Sequence, residues 1–385
     1  MFDYVIVGAG FVGAVLAERI ASQLNRKVLI IEKRNHIGGN AYDCYDEHGV
    51  LIHKYGPHIF HTRSKEVWDY LSQFTEWRLY QHKVLGLIDG KKVPIPFNLN
   101  SIDQLFPYSL ARTLEKKLVD HFGFNVKVPI LKLREVEDND LKFLADYVYQ
   151  NVFLNYTLKQ WGLTPEQLDP TVTGRVPVYI SRDDRYFQDV YQGMPKHGYT
   201  KLFENMLAHP NIKILLNTDY KEIVQVDFDH RTLKLMGIPY TGKLIYTGPL
   251  DYFYDYKYGK LPYRSLNFIF ESYPQHRFQE VGTVNYPNNY DFTRITEFTH
   301  LTGQEMNFTT IVKEISQEYV PGQNEAYYPI KNDENIQIVR QYKKENEKWE
   351  NVIFAGRLAE YQYYDMDAVV AKALKIFREL KLEYE

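Results

Sequence analysis

Three glycines within the first thirteen residues constrain this chain most strongly. Gly8, Gly10 and Gly13 follow a short apolar run that predicts a buried strand at residues 3–7. Residues 14–24 predict a helix, and residues 27–32 predict a second buried strand. In this setting the first glycine permits a tight turn, the second lets the backbone approach a pyrophosphate, and the third lets helix and strand pack closely. The pattern predicts a nucleotide-binding β-α-β unit.

Two further features favour FAD over NAD as the bound nucleotide. Glu32 ends the second predicted strand, where its carboxylate can accept both hydroxyls of an adenosine ribose. A second glycine turn, Gly38-Gly39-Asn40, follows soon after, as is common in FAD enzymes and seldom needed by NAD enzymes. Near the end of the sequence, residues 351–357 predict a strand, and Asp365 caps a predicted helix. The N-terminus of that helix can stabilise negative charge on a reduced flavin.

Composition excludes several partners and sites. The 385 residues include 46 basic and 49 acidic side chains, for a net charge of −3. Without a basic surplus, neither nucleic acid nor an anionic membrane surface is expected as a partner. Cys44 is the only cysteine, which excludes an internal disulfide, a CxxC pair and a zinc–thiolate site. No apolar run reaches the roughly 20 residues of a membrane span, so we expect a cytoplasmic protein.

His58 and His61 form an HxxH pair that could in principle bind a metal. The pair lacks the glutamate that follows the first histidine in HExxH, and no thiolate lies near it in the sequence. We therefore expect no metal site and interpret these residues as loop histidines beside a flavin.

The remaining pattern predicts an α/β fold in which the nucleotide domain is discontinuous. Residues 65–74 and 102–163 have helical periodicity, and residues 84–96 predict a hairpin that turns at Asp89-Gly90. Residues 167–178 predict a loop, and strands are predicted at 212–216, 243–246 and 352–355. Between residues 264 and 315, strand-like stretches without intervening helices predict an antiparallel sheet. A final amphipathic helix is predicted at 368–380.

Six segments of the sequence resemble the UDP-galactopyranose mutase family. They lie in order from residue 4 to residue 366, so the resemblance covers nearly the whole chain. The Thr-Gly-Arg-Val-Pro loop and the Tyr-x-Tyr-x-Asp-Met segment are its most specific parts, because the glycine motif alone is generic. The segments are Tyr4-Val-Ile-Val-Gly-Ala-Gly-Phe-Val-Gly-Ala, Ile31-Glu-Lys-Arg-Asn-His-Ile-Gly-Gly-Asn-Ala-Tyr42, Tyr55-Gly-Pro-His-Ile-Phe-His-Thr62, Val172-Thr-Gly-Arg-Val-Pro177, Phe292-Thr-Arg-Ile-Thr-Glu297 and Tyr361-Gln-Tyr-Tyr-Asp-Met366.

The resemblance implies a three-part fold. An FAD-binding Rossmann-like domain would comprise residues 1–77, 192–248 and 345–385, and a helical bundle that forms a substrate lid would comprise residues 98–185. An antiparallel sheet domain would comprise residues 78–97, 186–191 and 249–344. The resemblance also implies a homodimer and a cytoplasmic enzyme that serves cell-surface polysaccharide biosynthesis.

The activity that the resemblance implies is an isomerisation, in which UDP-galactopyranose and UDP-galactofuranose interconvert without net redox change. FAD would be the cofactor and would have to be reduced, because flavin N5 attacks the anomeric carbon. Arg175 and Arg294 resemble the family's two essential arginines, and a guanidinium can donate two parallel bonds to a diphosphate. His61 is assigned near the flavin and the sugar and completes the candidate catalytic residues.

Further site residues follow from the same resemblance, position by position. We expect Tyr156 and Trp161, which are about one helical turn apart, to face one groove. The implied substrate-binding residues are His82, Phe153, Tyr156, Trp161, Arg175, Tyr186, Asn285, Arg294, Tyr328 and Tyr363. The implied cofactor-binding residues are Gly8, Gly10, Val12, Gly13, Glu32, Lys33, Gly39, Asn40, His58, Ile59, Asp219, Tyr220, Gly356, Arg357, Tyr364, Asp365 and Met366.

One position departs from the family, and two other functions remain open. His82 stands where the family has a substrate-binding asparagine, so either the alignment slips or the sugar contact differs. Galactose and N-acetylgalactosamine both remain candidates for the hexose. An FAD-dependent oxidoreductase of the amine-oxidase type would share the glycine turn and Glu32, but it does not explain Arg175 with Arg294. A flavin-binding protein without catalysis is the third hypothesis.

Overall fold

The computed structural model describes residues 2–168, 176–331 and 333–384. A five-stranded parallel sheet contains strands from both ends of the chain. Its strands lie in the order Ile212–Leu215, Val28–Ile31, Tyr4–Val7, Lys243–Tyr246 and Val352–Phe354. Every residue of the second and third of these strands is buried, as expected for parallel strands that are covered on both faces. All five strands were predicted from the sequence, and the structure confirms them.

Helices cover one face of the parallel sheet, and aromatic side chains fill the other. The helices Phe11–Leu24 and Met366–Leu382 pack together on the first face, where they bury Val15 and Leu374. Tyr246 points into the aromatic cluster on the opposite face. Both helices begin slightly earlier than predicted, directly after the glycine loop and after the N-cap residue Asp365. Two helix N-termini therefore lie at the carboxyl ends of the parallel strands.

A seven-stranded sheet forms the second layer. Its strands lie in the order Tyr328–Pro329, Tyr263–Tyr273, Thr309–Glu318, Arg294–Glu297, Thr283–Asn285, Val84–Ile88 and Lys91–Ile95. The predicted antiparallel sheet needs two corrections. Thr283–Asn285 pairs in parallel with Val84–Ile88, because these strands come from distant parts of the chain and no turn links them. A short helix, Phe298–Thr302, also lies between the strands.

The predicted hairpin at the edge of this sheet is confirmed. Asp89 has φ 47° and Gly90 has φ 74°, so both adopt the left-handed conformation that a two-residue hairpin turn needs. One face of the hairpin, which includes Ile95, packs on the helical layer in a single apolar cluster.

The helical layer comprises Leu99–Leu105, Tyr108–Phe122, Ile130–Leu133, Asn139–Val148 and Asn155–Trp161. The helical pattern predicted for residues 102–163 was wrong at Val126–Val128, which forms a strand paired with Val178–Ile180. Gly123 ends the preceding helix, and the β-branched valines that follow favour a strand. Tyr149–Leu154 is a π-helix, a form that occurs frequently at functional sites.

Smaller elements complete the described structure. Phe60–Thr62, Tyr191–Pro195 and Trp77–Leu79 form one three-stranded sheet, and Val224–Asp227, Thr232–Leu235 and Ile238–Tyr240 form another. Asp43–Tyr45 pairs with Leu51–His53. The remaining α-helices are Lys65–Leu71, Gly198–Met206, Leu250–Phe253 and Asp333–Asn346. Among the described helices, none combines the length and the apolar character needed to cross a membrane. The three-domain boundaries remain a prediction.

Candidate functional site

The glycine motif forms a backbone cradle at the end of the first strand. Gly8 has φ +102°, and a Cβ atom there would overlap with Thr247 Oγ1. A Cβ at Gly13 would overlap with the carbonyl oxygen of Gly8. Gly39, in the second glycine turn, lies so close that its Cβ would be 2.9 Å from Gly10 Cα. The two predicted glycine turns therefore lie against each other, with no room for a side chain at Gly39.

Gly10 is also the N-cap residue of the helix Phe11–Leu24, and it has no side chain to cap that helix. The N–H groups of a helix's first turn have no partner within the helix, and they carry partial positive charge. Val12 in this turn lies close to Gly356, which follows the last strand, since a Cβ at Gly356 would lie 3.2 Å from Val12 Cγ2. The cradle thus offers backbone donors and small residues to an anion.

Glu32 lies beside the cradle rather than on an open surface. It is 6% exposed, and its carboxylate accepts hydrogen bonds from Ala9 N (2.8 Å) and Arg34 N (2.9 Å). The neighbouring Lys33 and Arg34 both pair with Glu325, at 3.1 Å and 2.8 Å. These contacts fix the carboxylate next to the backbone that follows Gly8, where the ribose of a dinucleotide is expected.

The predicted pair Asp219 and Tyr220 lies close to Glu32 along the backbone. Thr218 N donates to Glu32 O at 3.1 Å. The side chain of Asp219 accepts from Tyr252 at 2.9 Å, and the side chain of Tyr220 is 3% exposed within the aromatic core. Their assignment as cofactor-binding residues remains a prediction.

A cavity of about 310 Å³ opens between the cradle side of the parallel sheet, the seven-stranded sheet and the helical layer. Arg175 lies outside the described residues. The predicted substrate-binding residues that the structure describes all line the cavity: His82, Phe153, Tyr156, Trp161, Tyr186, Asn285, Arg294, Tyr328 and Tyr363. So do His61 and the predicted cofactor-binding residues Asn40, His58, Ile59, Arg357, Asp365 and Met366. The other predicted cofactor-binding residues lie away from the cavity lining: Gly8, Gly10, Val12, Gly13, Glu32, Lys33, Gly39, Asp219, Tyr220, Gly356 and Tyr364.

Arg294 places a positive charge in this cavity. Its Nε donates to Glu314 Oε1 at 2.7 Å, and the Glu314 side chain is 2% exposed. Burial alone would lower the pKa of the Arg294 guanidinium, but the Glu314 carboxylate more than offsets burial, and this pKa lies well above its ordinary value. Because Glu314 is bound through Nε, it does not use the two terminal nitrogens of the guanidinium. Asn285 is the cross-strand neighbour of Arg294, so both line the same part of the cavity.

Aromatic side chains form a wall of the cavity. The rings of Tyr328 and Tyr363 are stacked with centroids 5.2 Å apart. The ring centroid of Trp161 lies 5.7 Å from that of Tyr328 and 6.2 Å from that of Tyr363. The guanidinium of Arg357 lies over both tyrosine rings at 5.5 Å and 5.3 Å. Burial raises the pKa of Tyr156 and of Tyr328, so both phenols stay protonated and can donate hydrogen bonds.

The π-helix explains how one stretch of helix supplies so many cavity residues. A π-turn inserts an extra residue per turn and rotates the following side chains around the helix axis. Val152 and Phe153 in the π-helix, and Tyr156, Thr157 and Trp161 after it, line the cavity. The expected shared face of Tyr156 and Trp161 is confirmed.

Three predicted histidines have different environments. Burial lowers the pKa of His58 and of His82 to about 3, so both are neutral in the folded chain at neutral pH. His82 Nδ1 lies 3.1 Å from Tyr80 Oη, and its backbone oxygen accepts from Tyr186 N at 2.8 Å. His61 Nδ1 instead lies 2.6 Å from Asp189 Oδ2. The HxxH histidines therefore engage separate partners.

The sequence patterns missed Glu314, Asp189 and Phe187 as members of the site. Each contacts a predicted residue from a distant position: Glu314 contacts Arg294, whereas Asp189 and Phe187 contact His61. A Glu in a strand and an Asp in a turn are common on surfaces, so no local pattern marks them.

Two family models match the chain. Residues 151–363, more than half of the chain, match the model described as UDP-galactopyranose mutase. Residues 6–74 match the model of an NAD(P)-binding Rossmann-like domain, in agreement with the predicted β-α-β unit.

Curated relatives match over almost the full length. The probable UDP-galactopyranose mutase of Klebsiella pneumoniae is 36% identical over 377 residues, which cover 97% of this chain and 93% of the relative. The dTDP-fucopyranose mutase of Escherichia coli is 34% identical over 378 residues, which cover 97% of each chain. The crystal structure of a reduced UDP-galactopyranose mutase matches with a TM-score of 0.75 at 16% identity, covering 100% of this chain and 95% of the other. At this identity the structural match establishes a shared fold.

Proposed function

This chain belongs to the UDP-galactopyranose mutase family, and from that premise we propose that it interconverts UDP-galactopyranose and UDP-galactofuranose. One observation carries the proposal: the guanidinium of Arg294 lines an aromatic cavity whose wall also includes Asn40, beside the second glycine turn, and Asp365 and Met366 at the start of the last helix. A nucleoside diphosphate sugar has the matching chemistry, with a double negative charge, a sugar and a flat base.

The cofactor that we propose is FAD in its reduced form. The glycine cradle and the first turn of the helix Phe11–Leu24 fit a pyrophosphate, and the fixed carboxylate of Glu32 fits a ribose. Asp365 and Met366, at the N-terminus of the last helix, bring that helix to the cavity, where it would stabilise negative charge. When bound and reduced, FAD supplies the nucleophile for the anomeric carbon of the sugar, with no net redox change.

Arg294 would hold the diphosphate during the reaction. Glu314 holds the guanidinium through Nε, and the terminal nitrogens can donate two parallel bonds to phosphate oxygens. This interaction strengthens as UDP departs, because negative charge accumulates on the leaving phosphate. We propose Arg175 as the second arginine of this clamp on the basis of the family resemblance.

The aromatic wall would position the substrate and exclude water. Tyr156 and Tyr328 stay protonated and can donate to phosphate or sugar oxygens. Trp161 and Tyr363 present apolar ring surfaces to the cavity, which lowers the local dielectric and strengthens the pull of Arg294 on the diphosphate.

Product analysis tests the proposal. The flavin-loaded protein is incubated with UDP-galactofuranose, with and without dithionite, and the sugar nucleotides are separated by chromatography. We expect UDP-galactopyranose only with the reductant and no continuing electron consumption. Oxygen consumption with an oxidised product would favour the amine-oxidase alternative, and no conversion of this substrate would overturn the proposal.

The identity of the sugar nucleotide is tested in the same assay. UDP-N-acetylgalactofuranose probes the hexose, and dTDP-fucofuranose probes the specificity named for the Escherichia coli relative. Arg294→Lys keeps the charge but loses the forked donor, so we expect a large loss of turnover. Arg378→Lys, on the exposed face of the last helix, is the matched control and should behave like wild type.

We also propose that the enzyme is a cytoplasmic homodimer that serves cell-surface polysaccharide biosynthesis. These features follow from the family resemblance. Light scattering of the purified flavin-loaded protein tests the dimer, and a monomer mass at micromolar concentration would contradict it.

A further inference from the structure

His61 is held on two sides by one short segment of the chain. Its ring stacks on Phe187, with centroids 3.5 Å apart, and its Nδ1 lies 2.6 Å from Asp189 Oδ2. The segment itself is braced, because Gln192 Nε2 donates to the backbone oxygens of Phe187 and Asp189 at 3.1 Å and 2.8 Å. Gln192 pairs with His61 across the small sheet. The orientation of the imidazole is therefore set by the fold.

Asp189 is an ionised acceptor in this arrangement. Burial raises the pKa of its carboxyl group, but the hydrogen bonds of His61 and Arg63 outweigh burial and hold this pKa below its ordinary value. Arg63 Nε donates to Oδ1 at 2.8 Å, so the two carboxylate oxygens have one partner each. A carboxylate cannot donate a hydrogen bond. Nδ1 of His61 must therefore carry the proton.

We propose that Asp189 is a positioning residue that holds a proton on Nδ1 of His61, so that in the neutral form of the imidazole Nε2, the other nitrogen of this cavity residue, is the hydrogen-bond acceptor. The inference rests on the proposed function in one respect: the group that Nε2 accepts from is a hydroxyl of the hexose. A neutral imidazole with a fixed tautomer presents one defined acceptor nitrogen. That nitrogen can bind a hydroxyl group, which donates a hydrogen bond, but not an oxygen atom that can only accept one.

The charged surroundings are compatible with this role. Arg63 is 74% exposed and lies on the solvent side of Asp189. Lys127 also interacts with Asp189, and burial lowers the pKa of this lysine. On the cavity side, His82 is neutral because burial lowers its pKa to about 3. Arg294 also faces His82. Arg63 and Lys127 thus both act as cationic neighbours of the Asp189 carboxylate.

Asp189→Asn tests the proposal through a forced change of tautomer. An amide has one acceptor and one donor group, and Arg63 Nε can only donate, so the amide oxygen must face Arg63. The NH₂ group then faces Nδ1 of His61, which must become an acceptor, and the proton moves to Nε2. In the double variant Asp189→Asn/Arg63→Ala the amide can rotate, and its oxygen can face His61 again.

Nitrogen NMR of ¹⁵N-histidine in the flavin-loaded protein at pH 8 reads the tautomer directly. We expect a protonated Nδ1 in wild type and in Arg63→Ala, a protonated Nε2 in Asp189→Asn, and a protonated Nδ1 again in the double variant. The same tautomer in wild type and Asp189→Asn would overturn the proposal. This readout does not depend on turnover, so it stands even if UDP-galactofuranose is not converted.

Kinetics then separate this inference from the proposed function. We expect Asp189→Asn to lower kcat about 10²-fold with little change in KM, and the double variant to recover most of this loss. Asp183→Asn removes a carboxylate from a similar ion pair with Arg185, at 2.7 Å, away from the cavity lining, and should keep wild-type kcat. Unchanged kcat in Asp189→Asn would refute the positioning role alone. No turnover in wild type would refute the proposed function.

Discussion

Buried histidines should make this protein less stable as the pH falls below 6.5. Burial lowers the pKa of His53, His58 and His82 from 6.5 to about 3. At pH 7.5 these groups are neutral in both the folded and the unfolded chain, so their shifted pKa values do not lower the free energy of unfolding. Below pH 6.5 the unfolded chain binds protons that the folded chain does not, and the free energy of unfolding decreases. The loss continues until the pH approaches 3.

The loss of stability that a single histidine causes follows from its pKa in the unfolded chain and its pKa in the folded chain. Between pH 7.5 and pH 5.0, one group that shifts from 6.5 to about 3 on folding lowers the free energy of unfolding by about 2 kcal/mol. His82→Asn removes one such group. The difference in unfolding free energy between wild type and this variant should therefore shrink by about 2 kcal/mol across that pH range.

Urea unfolding followed by tryptophan fluorescence measures this difference at each pH, and equal m-values would confirm that the same surface unfolds. His121→Asn is the matched control, because it removes an exposed histidine from the end of the helix Tyr108–Phe122. This substitution leaves the three buried histidines in place, so the loss of stability on acidification that they cause should remain. If the curves of wild type and His82→Asn run parallel from pH 7.5 to pH 5.0, the reasoning about His82 is refuted.

Three further variants test the site. Arg175→Ala should keep its flavin absorbance but lose at least roughly 10²-fold in turnover, the scale for one charge-stabilising donor, and normal turnover would contradict its role. Glu314→Ala leaves the Arg294 guanidinium without its carboxylate, so urea unfolding should show a loss of about 3 kcal/mol, and a change below about 1 kcal/mol would contradict this. Tyr363→Ala should weaken binding of the UDP-sugar in calorimetry while the flavin stays bound, because one face of the aromatic wall is lost, and wild-type affinity would count against it.

The sequence by itself determined the nucleotide cradle and the composition of the cavity wall. A Cβ at Gly13 would overlap with the carbonyl oxygen of Gly8, and Gly8 has a positive φ that favours glycine, so these constraints lie within the motif itself. Family resemblance added the positions of Tyr156, Trp161 and Asn285, which the structure brings to one cavity. The glycine constraint is carried by a short, contiguous motif, whereas these three positions follow from the alignment of the whole chain with the family.

Only the tertiary structure decided which charges are paired inside the site. Arg294 and Glu314 lie on neighbouring strands in direct register, and His61 meets Asp189 across 128 residues of chain. Arg294 meets Glu314 through the register of two antiparallel strands, and His61 lies on a strand that pairs with Tyr191–Pro195, close after Asp189. Register depends on how distant apolar faces pack together, and a motif of a few residues does not determine it. The orientation of the Arg294 guanidinium and the partner of His61 Nδ1 are consequences of that packing.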